Sequence, residues 1–387
     1  MKHIRDPLYG YIEVSDEEIN VMSQPEVQRL RRIHQLGLSF SVYPGATHTR
    51  FEHSLGVMHL AGKLAQSIGL SGQLYDEYRL AGLLHDVGHT PFSHSVEHVL
   101  LGNRSQSHES RSCDIVDRLA ERNVFSDHIR PDMIKKAILG ESTYNIVAGT
   151  IDVDRMDYLR RDAFETGINH GNIDTETIIN FATKRDNSVV FHYKTLQALE
   201  GLLTARYHMI KSVYAHHTSR IAELMLQQAV KSYIETEDID SSEVVEIDDF
   251  QLHTRLLDSS GISHELYSSV INRHLYKRSK IVSPVDAVDQ FNAYIEDSID
   301  SGELTKEHLA DKFGVPDHWI IVDMPQSHKI KPIDVDIIWN NSVVSIELLS
   351  EVPRTVYDST VNTNDISVYS HPSVRNEVTN YLQEQFA

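Results

Sequence analysis

The sequence is poor in the residues that mark several classes of protein. A single cysteine, Cys113, excludes an internal disulfide. Neither a signal-peptide pattern nor a long apolar run is present, so we expect a cytoplasmic protein without a membrane-spanning segment. The sequence has only 36 basic residues compared with 56 acidic ones. The resulting formal net charge of -20 excludes broad electrostatic adhesion to nucleic acid or to an anionic membrane. An anionic ligand must therefore be bound by a local group of side chains.

What the chain does have is enough apolar sequence, 40% of 387 residues, for a large core. A short strand is predicted in "YGYIEV", and Ser15 and Glu18 then have the spacing of a capping box. Helical spacing of apolar residues dominates from there to about residue 235. The acidic stretch that follows, "ETEDIDSSEVVEIDD", is interpreted as a solvated connection.

The last part of the chain changes character. Strand patterns occur in "WIIVDM", "DVDIIW" and "SVVSIELL", and a closing helix is predicted in "SVRNEVTNYLQEQF". The patterns together predict a mainly α fold, a helical bundle with a small C-terminal α/β lobe. We expect the helical core over residues 1–235, the acidic connection with additional helices over 236–304, and the α/β lobe over 305–387.

Histidine and aspartate come together in "AGLLHDVGHTPFSHSVEH". His85 and Asp86 lie where a buried helix ends, and an unpaired buried carboxylate costs several kcal/mol, which a hydrogen-bond network or a cation must offset. Flanking motifs offer further ligands for a metal ion, namely His48, His53, Asp152, Asp154, Asp157 and Asp162. Hydrogen-bonded core histidines and a solvent-facing acidic stripe remain the alternative interpretation of the same spacing.

Longer motifs resemble a known family. His53, His85 with Asp86, and Asp154 follow the H…HD…D pattern of the HD-domain metal-dependent phosphohydrolases. One branch of that family contains the sterile-alpha-motif and HD-domain deoxynucleoside triphosphate triphosphohydrolase and its microbial relatives. The motifs similar to that branch extend over about residues 1 to 285 and are "DPLYGYIEV", "QRLRRIHQLG", "YPGATHTRFEHSLGVMHLAG", "AGLLHDVGHTPFSH" and "IDVDRMDYLRRD".

The resemblance implies an HD-domain bundle in which His53, His85, Asp86 and Asp154 hold one divalent ion. This ligand set suits manganese, iron, zinc, nickel or magnesium. The implied activity is the hydrolysis of a deoxynucleoside triphosphate to deoxynucleoside and triphosphate. A nucleotide phosphatase or phosphodiesterase with the same site is the alternative enzyme. A nucleotide sensor with a structural metal is the alternative from another class.

The resemblance also implies roles for individual residues. Of the three histidines His89, His94 and His108, which match phosphate contacts, we favour His94 as the proton donor, with His89 second. Substrate contacts are implied for Gln35, Arg50, Arg155, Tyr158, Asp162, Arg206 and Tyr214. Within this set Gln35 and Asp162 match residues at the sugar 3′-hydroxyl, Tyr158 lies near the 2′ carbon, and Arg155 replaces a lysine.

Departures from the family pattern concern recognition. Ile210 and Ala215 replace a histidine and a glutamine of the substrate pocket. Lys2, Gln28 and Arg31 match a regulatory nucleotide site in which an aspartate that reads guanine has become a serine. Family relatives form dimers or tetramers, so the implied partners are a nucleotide substrate, an activating nucleotide and further copies of the chain in a homo-oligomer.

Overall fold

The computed structural model describes residues 2–101, 107–282, 305–323, 335–361 and 366–385. The chain forms two compact units, each made of separate segments. Unit 1 comprises Met1–His216, Asp238–Arg255 and Ile333–Pro353, and unit 2 comprises His217–Glu237, Leu256–Pro332 and Arg354–Ala387. The predicted mainly α fold is confirmed, whereas the boundaries drawn at residues 235 and 304 stay a prediction. Among the described residues, no helix is long and apolar enough to cross a membrane.

Unit 1 opens with an antiparallel hairpin of β1 (Lys2–Asp6) and β2 (Gly10–Val14). The predicted capping box then starts α1 (Asp16–Met22). The next helix is shorter than its apolar spacing predicts, because α2 (Pro25–Arg29) passes into a single 3-10 turn. Ile33 after this turn is extended, and its carbonyl accepts a hydrogen bond of 2.9 Å from the amide of Arg50.

A bundle of helices forms the centre of unit 1. Its members are α3 (Arg50–Ser67), α4 (Gln73–Leu84), α5 (His94–Leu101), α6 (His108–Glu121), α7 (Pro131–Ile138), α8 (Val153–Thr166), α9 (Thr175–Asn180) and α10 (Leu196–Met209). Helix α3 packs against both α4 and α8. A Cβ atom on Gly82 would lie 2.9 Å from the backbone of Met58, so glycine is what lets α4 approach α3 so closely. Because α3 packs against both α4 and α8, residues from these three helices come close together.

A small sheet completes unit 1. Its strand order is β3 (Ala182–Arg185), β4 (Ser188–His192), β7 (Asp336–Trp339) and β8 (Ser342–Ser345), with β4 parallel to β7 and the other pairs antiparallel. Ala182, Phe191 and Ile337 face the core of the bundle. The strands predicted in "DVDIIW" and "SVVSIELL" are confirmed, whereas the β3–β4 hairpin lies in a region predicted to be helical.

Unit 2 is built around a three-stranded antiparallel sheet. Its strands are β5 (Lys277–Val282), β9 (Ile366–Ser370) in the middle, and β6 (Ile320–Asp323). The helices are α11 (His217–Glu237), α14 (Gly261–Ile271), α15 (Lys306–Phe313) and α17 (Arg375–Gln385), with α16 (Val352–Val361) before β9. Leu309 and Val378 pack on Val368 of the sheet, and Arg220 of α11 holds Asp323 with two hydrogen bonds of 2.8 and 3.0 Å.

The acidic stretch is more ordered than a solvated connection. It contains α12 (Ser241–Val245) and leads into α13 (Asp249–Asp258). From Val244 to Asp249 every residue except Glu246 is buried. The interpretation as a solvated connection is therefore wrong for these five buried residues, which include Asp248 and Asp249. Asp249 accepts a hydrogen bond from the buried amide of Phe92 in unit 1.

Candidate active site

The four predicted metal ligands converge in unit 1. His53 lies in the first turns of α3, His85 and Asp86 directly follow α4, and Asp154 lies in the first turn of α8. Nε2 of His53 is 3.2 Å from Nε2 of His85 and 3.0 Å from Oδ1 of Asp154, and Nε2 of His85 is 3.4 Å from Oδ1 of Asp86. The ligand atoms of His53, His85 and Asp86 lie within 4.8 Å of one another. We call these four residues the metal cluster.

The two imidazoles of the metal cluster are held in one tautomer. Nδ1 of His53 is 2.8 Å from a carboxylate oxygen of Asp157, and Nδ1 of His85 is 2.9 Å from the carbonyl oxygen of Gly82. Both partners accept hydrogen bonds, so each Nδ1 carries the proton and each Nε2 presents a lone pair. Two lone pairs that face each other at 3.2 Å, beside two carboxylates, fit a bound divalent cation.

A buried ion-pair network supports His53 from behind. Arg161 donates two hydrogen bonds of 2.9 Å to Asp157 and one of 3.0 Å to Asp6. Burial raises the pKa of Asp157, but the charge of Arg161 outweighs burial and holds this pKa below its usual range. A Cβ atom on Gly56 would lie 1.8 Å from Asp157, so the network requires glycine there. The sequence offered Asp157 as a candidate metal ligand. In the structure its carboxylate instead contacts Nδ1 of His53, on the side of the ring away from the metal cluster.

Arg50 joins the metal cluster to its surroundings. Its Nη1 donates to Oδ2 of Asp86 at 2.5 Å, and its Nε donates to Oγ of Ser93 at 2.6 Å. Burial raises the pKa of Asp86, and the nearby positive charge of Arg50 outweighs this and holds the pKa well below its usual range. Arg155, the other arginine predicted to contact phosphate, instead pairs with Asp152, which caps α8.

The three predicted phosphate-binding histidines also come together. The ring of His89 stacks on that of His108 with centroids 4.0 Å apart, and it lies edge-to-face with the ring of His94 at 4.7 Å. Glu97, which no sequence pattern had singled out, accepts from Nδ1 of His94 at 2.8 Å and from Nδ1 of His108 at 3.1 Å. We call these four residues the histidine cluster, and its potential ligand atoms also lie within 4.8 Å of one another.

The members of the histidine cluster differ in environment. His89 is completely buried, and neither ring nitrogen has a hydrogen-bond partner among the described residues, although Nε2 lies 3.2 Å from Asp86. Burial lowers the pKa of His108, but the hydrogen bond to Glu97 outweighs this and raises it. Burial likewise opposes ionisation of Glu97, yet its bonds to the two imidazoles lower its pKa. The bond between Glu97 and His108 thus favours the charged form of both side chains.

The predicted sugar-binding residues form a third group. Asp162 accepts a hydrogen bond of 2.7 Å from the hydroxyl of Tyr214 and lies 2.8 Å from Nε2 of His48. The backbone N–H of Gln35 donates to the carbonyl oxygen of His48 at 3.0 Å. The side-chain oxygen of Gln35 is buried without a partner among the described residues. The rings of Tyr158 and Tyr214 are 6.2 Å apart. The structure thus brings these predicted residues together.

A π-helical segment, Ile210–Tyr214, places Tyr214 in this group. Such bulges occur mostly at functional sites, and the two departures from the family pattern, Ile210 and Ala215, lie at its ends. Burial raises the pKa of Tyr158 to about 12, opposed by the positive charge of Arg206 on α10. The altered family residues therefore coincide with an irregular helix beside the predicted pocket.

The predicted regulatory residues lie on the hairpin, on α2 and in the 3-10 turn that follows it. Nε of Arg31 donates to the side-chain oxygen of Gln28 at 3.0 Å, and Gln28 donates to the carbonyl of Met22 at 2.7 Å. Arg31 also stacks over the ring of Phe51 at 3.6 Å. Lys2 begins β1 and is exposed. The structure thus brings Gln28 and Arg31 into contact.

Comparison with known proteins agrees with these motifs. The family model "HD domain" matches residues 50–162, and the model "HD associated region" matches residues 173–387. An uncharacterized protein of Methanocaldococcus jannaschii is 33% identical over 377 residues, which cover 96% of this chain and 79% of that protein. The deoxynucleoside triphosphate triphosphohydrolase SAMHD1 of Xenopus laevis is 32% identical, with 72% of this chain and 55% of that protein covered.

Solved structures agree as well. A hypothetical protein from Aquifex aeolicus has a TM-score of 0.79 at 27% identity, covering 98% of this chain and 99% of that one. A phosphohydrolase from Bacteroides thetaiotaomicron has a TM-score of 0.77 at 26% identity, covering 96% of this chain and 99% of that one. The chain spans about half the length of the curated Xenopus relative. Over nearly its whole length, the chain belongs to the HD-domain phosphohydrolase family.

Proposed function

We propose that the protein hydrolyses a deoxynucleoside triphosphate to deoxynucleoside and triphosphate. The observation that carries the proposal is the position of Asp86, which belongs to the metal cluster and also contacts the histidine cluster. Its Oδ1 lies 3.2 Å from Nε2 of His89, and its Oδ2 lies 2.5 Å from Nη1 of Arg50. A structural ion needs no group of imidazoles and an arginine beside it. The name of the Xenopus relative supports the substrate class.

The metal cluster is the proposed holder of one divalent ion, bound by His53, His85, Asp86 and Asp154. When bound, the ion supplies Lewis-acid polarisation of a phosphate oxygen and lowers the pKa of the attacking water. Imidazole and carboxylate ligands suit manganese, iron, zinc, nickel or magnesium. The protein contributes the fixed tautomers of both imidazoles, because Asp157 and Gly82 hold the Nδ1 protons away from the centre.

The histidine cluster is the proposed site of proton delivery. Attack of water on the α-phosphorus breaks its bond to the 5′ oxygen of the sugar, and that oxygen must gain a proton. His94 fits this task because Glu97 orients its ring through Nδ1 at 2.8 Å and because its side chain, 65% exposed, can exchange protons with solvent. His89 is completely buried, so we propose that it binds phosphate together with His108 and Arg50.

The third group is the proposed sugar pocket. The carboxylate of Asp162 has lone pairs left after its contacts with His48 and Tyr214, and the side-chain oxygen of Gln35 has no partner among the described residues. Both can accept a hydrogen bond from the sugar 3′-hydroxyl. Tyr158 is the proposed bulk near the 2′ carbon. Arg206 and Tyr214 complete the substrate contacts, and Arg155 would have to leave Asp152 to reach a phosphate.

Product analysis tests the proposal. The protein is incubated with manganese and each of the four deoxynucleoside triphosphates, and the products are separated by ion-exchange chromatography. We expect equimolar deoxynucleoside and triphosphate. Release of single phosphates or of a deoxynucleoside monophosphate indicates the alternative phosphatase or phosphodiesterase. Tight nucleotide binding without turnover, with each of manganese, iron, zinc, nickel and magnesium, indicates a nucleotide sensor.

We propose in addition that Lys2, Gln28 and Arg31 bind an activating nucleotide and that the protein works as a homo-oligomer. The contact between Arg31 and Gln28 supports a shared role for these two residues. Sedimentation of the protein with and without each nucleoside triphosphate tests both ideas. A mass and a turnover rate that no nucleotide changes would refute the regulatory role.

A further inference from the structure

A strained turn connects the two clusters. Phe92 and Ser93 are successive non-glycine residues with φ of 54° and 57°, in the left-handed region of the backbone. Residues with a Cβ atom rarely adopt this conformation, and two in succession persist only where the surroundings hold them. The nearby glycine, Gly88, has no positive φ, and a Cβ atom there would meet the backbone of α6 at 2.5 Å. The strain therefore falls on Phe92 and Ser93.

The turn fixes side chains on both sides of the candidate site. Oγ of Ser93 accepts a hydrogen bond of 2.6 Å from Nε of Arg50 and donates one of 2.7 Å to the carbonyl of His34. Arg50 in turn holds Asp86 of the metal cluster. His94 follows the turn directly and begins α5. The conformation of two residues thus sets the positions of an arginine and a histidine that the proposed reaction uses.

Asp249, more than 150 residues further along the chain, holds the turn. Its Oδ1 accepts the amide of Phe92 at 2.6 Å, and its Oδ2 accepts the amide of His34 at 2.9 Å and lies 2.7 Å from Nδ1 of the same residue. Asp249 is 2% exposed. Arg29 adds a second link, because its guanidinium binds the carbonyl of His89 at 2.9 Å and two carbonyls of the segment before Asp249.

The neighbouring carboxylate has a different task. Asp248 accepts from the amide of Gln251 at 3.0 Å and from Nε of Arg32 at 2.5 Å. It therefore caps α13 and binds Arg32 of the 3-10 turn, and among the described residues its side chain makes no hydrogen bond to Phe92 or Ser93. Asp248 and Asp249 are adjacent, equally buried and equal in charge, so they form a matched pair for comparison.

We propose that Asp249 is a positioning residue for the hydrolysis. By holding the amide of Phe92 it keeps the turn left-handed, and the turn keeps Arg50 and His94 in place beside the metal cluster. This inference rests on the proposed function. It assigns to the acidic segment a part in the chemistry that its composition does not indicate, since three N–H groups converge on one carboxylate.

The test compares Asp249→Ala and Asp249→Asn with Asp248→Asn in the full-length protein. Hydrogen exchange is measured for peptides that cover residues 90–96, together with metal content, kcat and KM for deoxynucleoside triphosphates. We expect Asp249→Ala to speed exchange in these peptides and to lower kcat by about 10²-fold, because small displacements of catalytic groups have effects of that size. Metal content should not change. Asp249→Asn keeps one acceptor oxygen and should have an intermediate effect, and Asp248→Asn should leave kcat and this exchange within about twofold.

Two results would overturn the inference. One is unchanged exchange at residues 90–96 in both Asp249 variants, and the other is faster exchange with an unchanged kcat. If Asp249→Ala does not fold, Asp249→Asn decides by the same two readouts. If the wild-type protein turns over no deoxynucleotide, the proposed function fails first. The affinity of the same variants for inorganic triphosphate then decides, and equal affinity in wild type and Asp249 variants rejects the positioning role.

Discussion

The metal cluster and the histidine cluster use the same chemical groups under different constraints. In the metal cluster each imidazole has a buried acceptor on Nδ1, and Arg161 and Asp6 fix one of these acceptors in turn. In the histidine cluster a single carboxylate, Glu97, holds two imidazoles, and the ring nitrogens of His89 have no hydrogen-bond partner among the described residues. The first region thus has its imidazoles fixed by partners, whereas in the second one imidazole keeps its ring nitrogens available for a ligand.

The contrast predicts that substitutions in the two clusters have separable effects. Loss of a group in the metal cluster should reduce bound metal and activity together, because the ligands form the site themselves. Loss of a group in the histidine cluster should reduce activity and leave the metal in place. We expect the largest effect from the loss of a predicted metal ligand and the smallest from a change of pH.

Asp154→Ala should remove the metal and lower turnover by more than about 10³-fold, because it deletes a ligand whose oxygen lies 3.0 Å from Nε2 of His53. Elemental analysis and a turnover assay measure the two effects. Asp174→Ala, which removes the exposed carboxylate that caps α9, is the control and should change neither. Full metal content in Asp154→Ala would contradict the assigned ligand set.

Asp157→Asn should weaken metal affinity by about 10- to 100-fold, because the partner of the His53 ring is altered. It should also lower the free energy of unfolding by about 3–5 kcal/mol, since Arg161 stays buried with its ion pair to Asp157 broken. Manganese titration and chemical denaturation measure these effects. Asp132→Asn breaks an exposed pair with Lys135 and should leave the free energy of unfolding nearly unchanged. Equal stability of the two variants would mean that the network does not support His53.

Glu97→Gln should lower turnover by about 10²-fold with no change in metal content, because His94 and His108 lose the carboxylate that orients both rings and raises the pKa of His108. Turnover and elemental analysis are measured on the same preparation. His128→Ala, which removes an exposed imidazole paired with Asp76, is the control. A fall in metal content would merge the two clusters into one functional unit.

The same substitution should have a smaller, pH-dependent effect on stability. The raised pKa of His108 stabilises the fold below about 6.5 and this contribution is lost as pH rises through the raised value. The lowered pKa of Glu97 stabilises the fold above about 4.5 and this contribution is lost as pH falls through the lowered value. The difference in unfolding free energy between wild type and Glu97→Gln should therefore be greatest between these two pH values, at about 1.5–3 kcal/mol. A difference that is constant from pH 4 to pH 9 would contradict an ion pair.

The convergence of His53, His85, Asp86 and Asp154 could be predicted because histidine and aspartate at the end of a buried helix are chemically conspicuous, and because their motifs resemble a family. Their supports could not. Asp6 and Glu97 occupy positions where carboxylates are usually exposed, and Asp249 ends an acidic run whose burial depends on Arg29 and on the amide of Phe92. Tertiary contacts of this kind leave no periodic signal in the sequence.

The fold shows the same division. Long helices such as the buried α3 and the amphipathic α11 follow from apolar spacing, and the capping box of α1 follows from the spacing of Ser15 and Glu18. The β3–β4 hairpin was missed although Asp186, with φ of 54°, and the following asparagine form the kind of turn that joins two strands. The early end of α2 was not visible, because the extended Ile33 is set by its bond to the amide of Arg50.

The discontinuity of unit 1 has a consequence for biosynthesis. All four ligands have left the ribosome once Asp154 emerges, but Asp249 and the strands β7 and β8 follow only after α11 has been translated. Translation at about 5–20 residues per second separates these events by several seconds. A nascent chain therefore exposes all four residues of the metal cluster before Asp249, which holds the turn at Phe92 and Ser93, has been synthesised.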